Sequence, residues 1–386
     1  MKNKIYWPFI ILSYSSLISI AFIDNSRGPV YPNILQEFKI TLKYGSLIFS
    51  LSTLMGLFTS ATSKYWLCFL GTIQSLSLGC LIMFLGSISY WAIPYFNLGF
   101  YYLLLSSVFL GCGISLIAIP MNILIAEGSP ANLRRNAFAG LHAIYGLGSL
   151  LAPLLFSYWT ELKYNWNSLF LVLAIIPLFP LFYSCRMISQ ESIQNKTQTS
   201  LKPPLKLKLR ILFGLMFGFY VSSEVLISSR LVLYLKQLHQ YENQTAQYFL
   251  SLFFLFLFLG RLSFIFISER ISSFKSMLIS LIFSFILTLI GIYLHPIFLC
   301  MTGLSMSYFF PVAMEWLNKK CPIGIEYMTG SIFTLISVNL VVLHSFFGQV
   351  AELFGLQKAF LMTPVLLVLS LIILIILERI KLKQMD

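Results

Sequence analysis

Apolar residues fill most of this chain in runs of about twenty, the length a helix needs to cross a bilayer. Polar residues gather in short gaps between the runs. Twelve runs qualify, at approximately 5–34, 44–62, 67–89, 100–126, 136–158, 166–186, 208–235, 246–268, 275–294, 297–316, 327–350 and 358–378. Some have no polar face: from Leu250 to Leu259 only Ser251 interrupts Leu and Phe. A helix that is apolar all round is buried or faces lipid. The pattern therefore predicts an all-α integral membrane protein with twelve transmembrane helices.

The first run is long for one span. Either helix 1 ends near Ile23, or it continues, kinked at Pro29 and Pro32, to about Ile34. Continuation is expected, since a proline is tolerated in a spanning helix when neighbours satisfy the freed carbonyl. The choice matters because Asp24, Asn25, Ser26 and Arg27 follow one another here. If the helix ends at Ile23 they are ordinary outer-loop residues. If it continues, two charges lie inside the bilayer or at its edge. Each costs about 2.5–3.5 kcal/mol on insertion scales, a cost met mainly where the charge faces a cavity and acts on something. Three residues apart, Asp24 and Arg27 share a helix face.

The longest polar stretch, 187–207, is rich in Ser, Thr and Gln and holds the pair Pro203-Pro204. It reads as a linker between two six-helix bundles, 1–186 and 208–386. The halves echo each other weakly. Asp24 in helix 1 has a counterpart in Glu224 of helix 7, each acid is followed by an arginine, Arg27 or Arg230, and helices 2 and 8 carry late glycines, Gly56 and Gly260. With both termini cytoplasmic, all of the 26 Lys and Arg but Arg27, Lys39, Lys43, Lys163, Arg230, Lys236 and Lys358 fall on the cytoplasmic side. Cytoplasmic loops attract Lys and Arg, so this bias supports the helix count and the orientation.

Composition agrees. Of 386 residues 58% are hydrophobic and only 10% charged, with a mean hydropathy of +0.85, where soluble domains carry about 25% charged residues. The net charge of +13 does not point to nucleic acid, because the basic residues are scattered between apolar runs rather than gathered on a face. The six cysteines have neither metal-like nor disulfide-like spacing and read as free thiols. No cleavable leader is evident, so the first run is expected to stay as a span. There is no phosphate-binding Gly-x4-Gly-Lys-Ser/Thr loop and no HExxH run. His142, His239, His295 and His344 are dispersed. The expectation is a protein that is not an enzyme, with no cofactor and no metal.

After helix 8, Gly260-Arg261-Leu262 is followed by Ser268-Glu269-Arg270-Ile271-Ser272-Ser273-Phe274-Lys275, an acid and an arginine ahead of a basic residue. In the first half, Ala61-Thr-Ser-Lys-Tyr-Trp66 occupies the matching place without the acid or the glycines. Helices 4 and 5 carry Ile119-Pro-Met-Asn-Ile-Leu-Ile-Ala-Glu127 and Gly140-Leu-His-Ala-Ile-Tyr-Gly-Leu-Gly-Ser-Leu-Leu-Ala-Pro153. With six helices on each side of a central linker, these residues make the chain resemble the major facilitator superfamily of secondary transporters, and helices 4 and 5 look similar to its sugar-type members. Drug antiporters would show a fuller Gly-Pro signature in helix 5. The resemblance implies two six-helix bundles with pseudo-twofold symmetry, working by alternating access.

On that basis Asp24, Glu224 and His142 are the expected proton-coupling residues. A carboxyl near mid-bilayer and an imidazole suit reversible proton transfer, although each also fits a structural ion pair or a buried hydrogen bond. Arg27, Asn25, Asn122 and Arg230 are the expected solute contacts. Alternatively, Asn122 ties helices together and Arg230 snorkels to the outer surface. Glu127, Arg134, Arg135, Glu269 and Arg270 are expected as gate or latch charges at the cytoplasmic face. The expected partners are the lipid bilayer, a small polar solute of sugar-like character and protons, acting on a monomer in a bacterial inner membrane. The alternatives are a drug or metabolite exporter of the same fold, and a non-transporting sensor or scaffold. A large soluble domain would favour the sensor or scaffold, and the sequence offers only a short linker.

Overall fold

The computed structural model describes residues 5–130, 133–188, 207–267, 272–320 and 325–380. Among these, twelve helices are long and apolar enough to cross a membrane. They are α1 (Trp7–Glu37), α2 (Leu42–Ala61), α3 (Thr72–Tyr95), α4 (Phe100–Gly128), α5 (Arg134–Glu161) and α6 (Trp166–Met187), then α7 (Leu207–Leu238), α8 (Asn243–Ile267), α9 (Ser273–Tyr293), α10 (Ile297–Leu317), α11 (Ile325–Phe354) and α12 (Leu356–Arg379). Helix α1 runs through Pro29 and Pro32 to Glu37, so Asp24 and Arg27 are helical residues well inside a span.

The chain divides into two compact units, 1–197 and 198–386. In the first, α1 packs on α4, α5 and α6, α2 on α4, and α3 on α4 and α6. In the second, α7 packs on α10, α11 and α12, α8 on α10, and α9 on α10 and α12. The second set is the first moved on by six helices, so the weak echo in sequence corresponds to one packing plan used twice.

The plan rests on close backbone approach, the main source of helix association where lipid is as apolar as leucine. In the first unit a Cβ on Gly111 of α4 would collide with the Ser52 carbonyl of α2, and Ser115 Oγ donates to Gly56 O at 2.9 Å. In the second unit a Cβ on Gly303 of α10 would collide with the Phe253 carbonyl of α8, and Gly260 of α8 lies against Ser307. Gly111 and Ser115 thus do on α4 what Gly303 and Ser307 do on α10. Gly56 of α2 and Gly260 of α8 leave the room that the partner's serine, Ser115 or Ser307, occupies.

Two features depart from the expected pattern. The third span begins at Thr72 rather than near residue 67, and Ser63–Leu70 forms a separate short helix with no buried residue. Tyr65 and Phe69 are exposed, the Lys64 ammonium lies 4.6 Å from the Tyr65 ring centre, and Trp66 Nε1 donates to Thr59 O at 2.8 Å. Both its ends join spans, and an exposed, aromatic-rich helix so placed suits a membrane interface. Secondly, three spans are interrupted: α6 between Leu173 and Leu178, α12 at Leu361, and α10. The first segment of α10 is Ile297–Met306, and after a turn its second, Phe309–Lys320, carries on three residues past the apolar span. Pro311 explains the turn: it has no N–H to offer the Ser307 carbonyl four residues back.

Gly111→Leu and Gly303→Leu should each destabilise their unit by about 1–3 kcal/mol, the usual cost of overpacking, measured as thermal unfolding in detergent. Gly99→Ala, where a Cβ meets nothing within 4 Å, should change stability by less than about 0.5 kcal/mol.

Candidate functional site

Asp24 and Glu224 lie at the same number of residues from the starts of their helices, Trp7 and Leu207. Each is the carboxylate of a polar cluster inside an otherwise apolar bundle. The two clusters are built differently.

In the first unit Arg27 is buried, 7% exposed. Its guanidinium forms an ion pair with Asp24 one turn earlier on α1. Nη1 donates to Ser52 Oγ of α2 at 2.8 Å, and the group lies 5.7 Å from the centre of the Phe49 ring. Tyr90 of α3 also faces Arg27, with its hydroxyl 2.6 Å from Ser107 Oγ of α4. Asp24 is the less buried partner, with 30% of its side chain exposed. A buried cation is thus held by one carboxylate, one hydroxyl and one aromatic face, and its carboxylate keeps an accessible side. Asn25 is used otherwise: Nδ2 donates to Ala21 O at 2.8 Å and to Ser149 Oγ of α5 at 3.0 Å, tying α1 to α5.

In the second unit the acid and its arginine come from different helices. Glu224 Oε1 is 3.8 Å from Nη2 of Arg261 on α8. Glu224 Oε2 is 2.7 Å from the Tyr220 hydroxyl, which is also 2.6 Å from the Met306 carbonyl. Arg261 Nε donates to the Ser307 carbonyl at 3.4 Å. Ser280 Oγ of α9 donates to the Ser305 carbonyl at 2.6 Å. The three successive carbonyls at the α10 break, Ser305, Met306 and Ser307, therefore meet side chains from α9, α7 and α8. The last carbonyls of a helix lack helical partners, and in lipid they must be satisfied from within the protein.

Arg230 is not the arginine of this cluster. It is buried, 1% exposed, with its guanidinium 5.3 Å from the Phe347 ring centre of α11, and so does not snorkel outward. Asn122 is exposed and turns back onto its own helix, Nδ2 donating to Ala118 O at 2.7 Å. Glu127 is exposed in the last turn of α4. His142, Arg134 and Arg135 belong to α5, but their side chains lie outside the described residues, as do Glu269 and Arg270 entirely. Among the described residues no group of three or more His, Cys, Asp or Glu could hold a metal ion.

The sequence pattern alone did not single out Ser52, Tyr220 or Arg261. Arg261 counted as a cytoplasmic charge because it lies near the end of an apolar run. The available signal was Pro311, whose unmatched carbonyl partner at Ser307 calls for a donor.

The family model for the Major Facilitator Superfamily matches residues 14–337. The chain belongs to the major facilitator superfamily. It is therefore a multi-pass membrane transporter and not an enzyme. The solved structures it resembles include a crystal structure of a D-xylose–proton symporter, with 13% identity, TM-score 0.77, and coverage of 95% of this chain and 97% of that one. Another is a transporter of the superfamily, FucP, in the outward conformation, with 15% identity, TM-score 0.65, and coverage of 95% and 98%. At these identities the likeness concerns the fold. A search of curated proteins returns no match.

Removing one partner of a buried ion pair leaves an uncompensated charge. Arg27→Met should therefore cost about 3–5 kcal/mol in thermal unfolding, with part of the loss recovered in Asp24→Asn/Arg27→Met. Equal stability of the single and double variants would show that Asp24 does not depend on Arg27.

Proposed function

We propose that this transporter moves a small hydroxylated solute of sugar-like character by alternating access, coupled to protons, with Asp24 and Glu224 as the proton-carrying groups. The observation that carries this reading is the placing of two carboxylates at matched positions of α1 and α7, each beside an arginine that competes for it. A carboxyl that exchanges a proton for an arginine alternates between neutral and paired states and is never itself a bare charge in a low-dielectric interior, while the released arginine must find another acceptor, such as the solute's hydroxyl oxygens. The D-xylose–proton symporter among the structural neighbours agrees with this direction. Arg27 is the favoured solute contact, through its donors beside the accessible face of Asp24. Asn25 ties helices together, and Asn122 and Arg230 follow as further polar candidates. His142 stays in the proposal as a third proton site, and Glu127, Arg134, Arg135, Glu269 and Arg270 as latch charges.

In this reading residues 1–186 and 208–386 rock about the linker 187–207. Both termini are cytoplasmic, and the monomer works in a bacterial inner membrane.

The test starts from a thermal-shift screen against sugars, organic acids, amino acids and amphipathic drugs, followed by uptake of the stabilising solute into proteoliposomes. An inward proton gradient should drive accumulation of a hydroxylated solute. Asp24→Asn and Glu224→Gln should each abolish accumulation while leaving exchange of labelled for unlabelled solute. Accumulation unaffected by the gradient and by both substitutions would refute the coupling. Stabilisation by amphipathic drugs alone would refute the solute class.

A further inference from the structure

The Tyr220 hydroxyl stands between two oxygens, Glu224 Oε2 at 2.7 Å and Met306 O at 2.6 Å. A phenol has one proton to donate and a carbonyl has none. Either the phenol shares its one proton between the two oxygens, or the carboxyl supplies a second proton and both contacts become full hydrogen bonds, with Glu224 Oε2–H donating to Tyr220 Oη and Tyr220 Oη–H donating to Met306 O, as two contacts this short favour. We infer that Tyr220 is a positioning residue that makes the proton on Glu224 lock α7 to the break in α10, a role that rests on the proposed use of Glu224 as a proton carrier.

The surroundings fix the hydroxyl in this place. The Tyr220 ring is 1% exposed and stacks on Phe309, with ring centres 4.2 Å apart and planes at 24°. Phe309 opens the second segment of α10, so the ring is held by the element its hydroxyl bridges to. When Glu224 loses its proton to water, the carboxylate claims the phenol proton, because a bond to an ionised acceptor is roughly twice as strong as a neutral one. Met306 O then faces a lone pair at 2.6 Å, and the bridge opens. The proton count balances: one proton leaves the carboxyl, the phenol proton turns from Met306 to Glu224, and no other group changes charge. Arg261, 3.8 Å from Oε1 and bonded through Nε to Ser307 O, is poised to take the carboxylate and leave the α10 break in the same movement.

The groups that face Glu224 are Tyr220 on its own helix and Arg261 on α8, and Tyr308 at the α10 break faces the Tyr220 hydroxyl. Along α11 the contacts of Gly218 with Asn339 and of Arg230 with Phe347 bring His344 to a similar level. Helix α12 carries no ionisable residue between Met362 and Leu377.

Infrared spectroscopy of the reconstituted protein across a pH titration tests this without transport. The wild type should show the carbonyl stretch of a protonated carboxyl that is absent in Glu224→Gln. Tyr220→Phe keeps the ring on Phe309 and removes the hydroxyl, so the stretch should move to higher frequency. If that variant does not fold, Glu224→Asp retains the acid one methylene too short for the phenol and should show the same shift. The inference is overturned if no stretch disappears in Glu224→Gln, or if it stays at the wild-type frequency in the shortened or phenol-free variant. A transporter indifferent to proton gradients that still shows the shifted stretch would refute the coupling and leave the relay standing.

Discussion

A backbone carbonyl that loses its helical partner inside a membrane has no water to turn to, and something in the protein must donate to it. In the second unit that constraint shapes the most polar region described. Pro311 frees the Ser307 carbonyl, the first segment of α10 ends at Met306, and donors arrive from Ser280, Tyr220 and Arg261 on three other helices. Two of these donors also touch Glu224. The same break therefore supplies the reason for burying polar side chains and the means of linking a carboxyl's protonation to helix packing.

The first unit meets a comparable cost differently. Its α4 is continuous through Pro120, and its buried charge is balanced within α1 by Asp24 and across to α2 by Ser52. The glycine seams are alike in both units: Gly111 and Gly303 bring α4 and α10 against the backbones of α2 and α8. One packing plan thus carries two polar clusters of different design. The first has a less buried acid beside a buried cation, which suits solute contact. The second has an acid between a hydroxyl and an arginine, which suits a conformational link.

Much of this was legible in the sequence, and the parts that were not share physical causes. Length and apolarity mark the spans. Asp24 and Glu224 stand out because charge inside an apolar run has few bland explanations. The depth of Arg261 was hidden, since a count of Lys and Arg cannot separate a loop cation from one turned inward within the last two turns of a helix that runs to Ile267. The second half of the helix Ser63–Leu70, from residue 67, was absorbed into the third span because Leu, Cys and Phe are as apolar as a span, and only Gly71, with φ +79°, separates them. That Glu224 meets Arg261 rather than the Arg230 that follows it in the chain was hidden too, because sequence order along one helix says nothing about which arginine a neighbouring helix presents.

Proton movement driven by the solute itself tests the account most directly. Vesicles containing the protein and a trapped pH indicator, with no applied gradient, receive the identified solute on the outside. Proton-coupled entry acidifies the interior as solute enters, and this acidification is absent in Glu224→Gln vesicles that still exchange the solute. Solute entry with no change in internal pH would contradict the coupling.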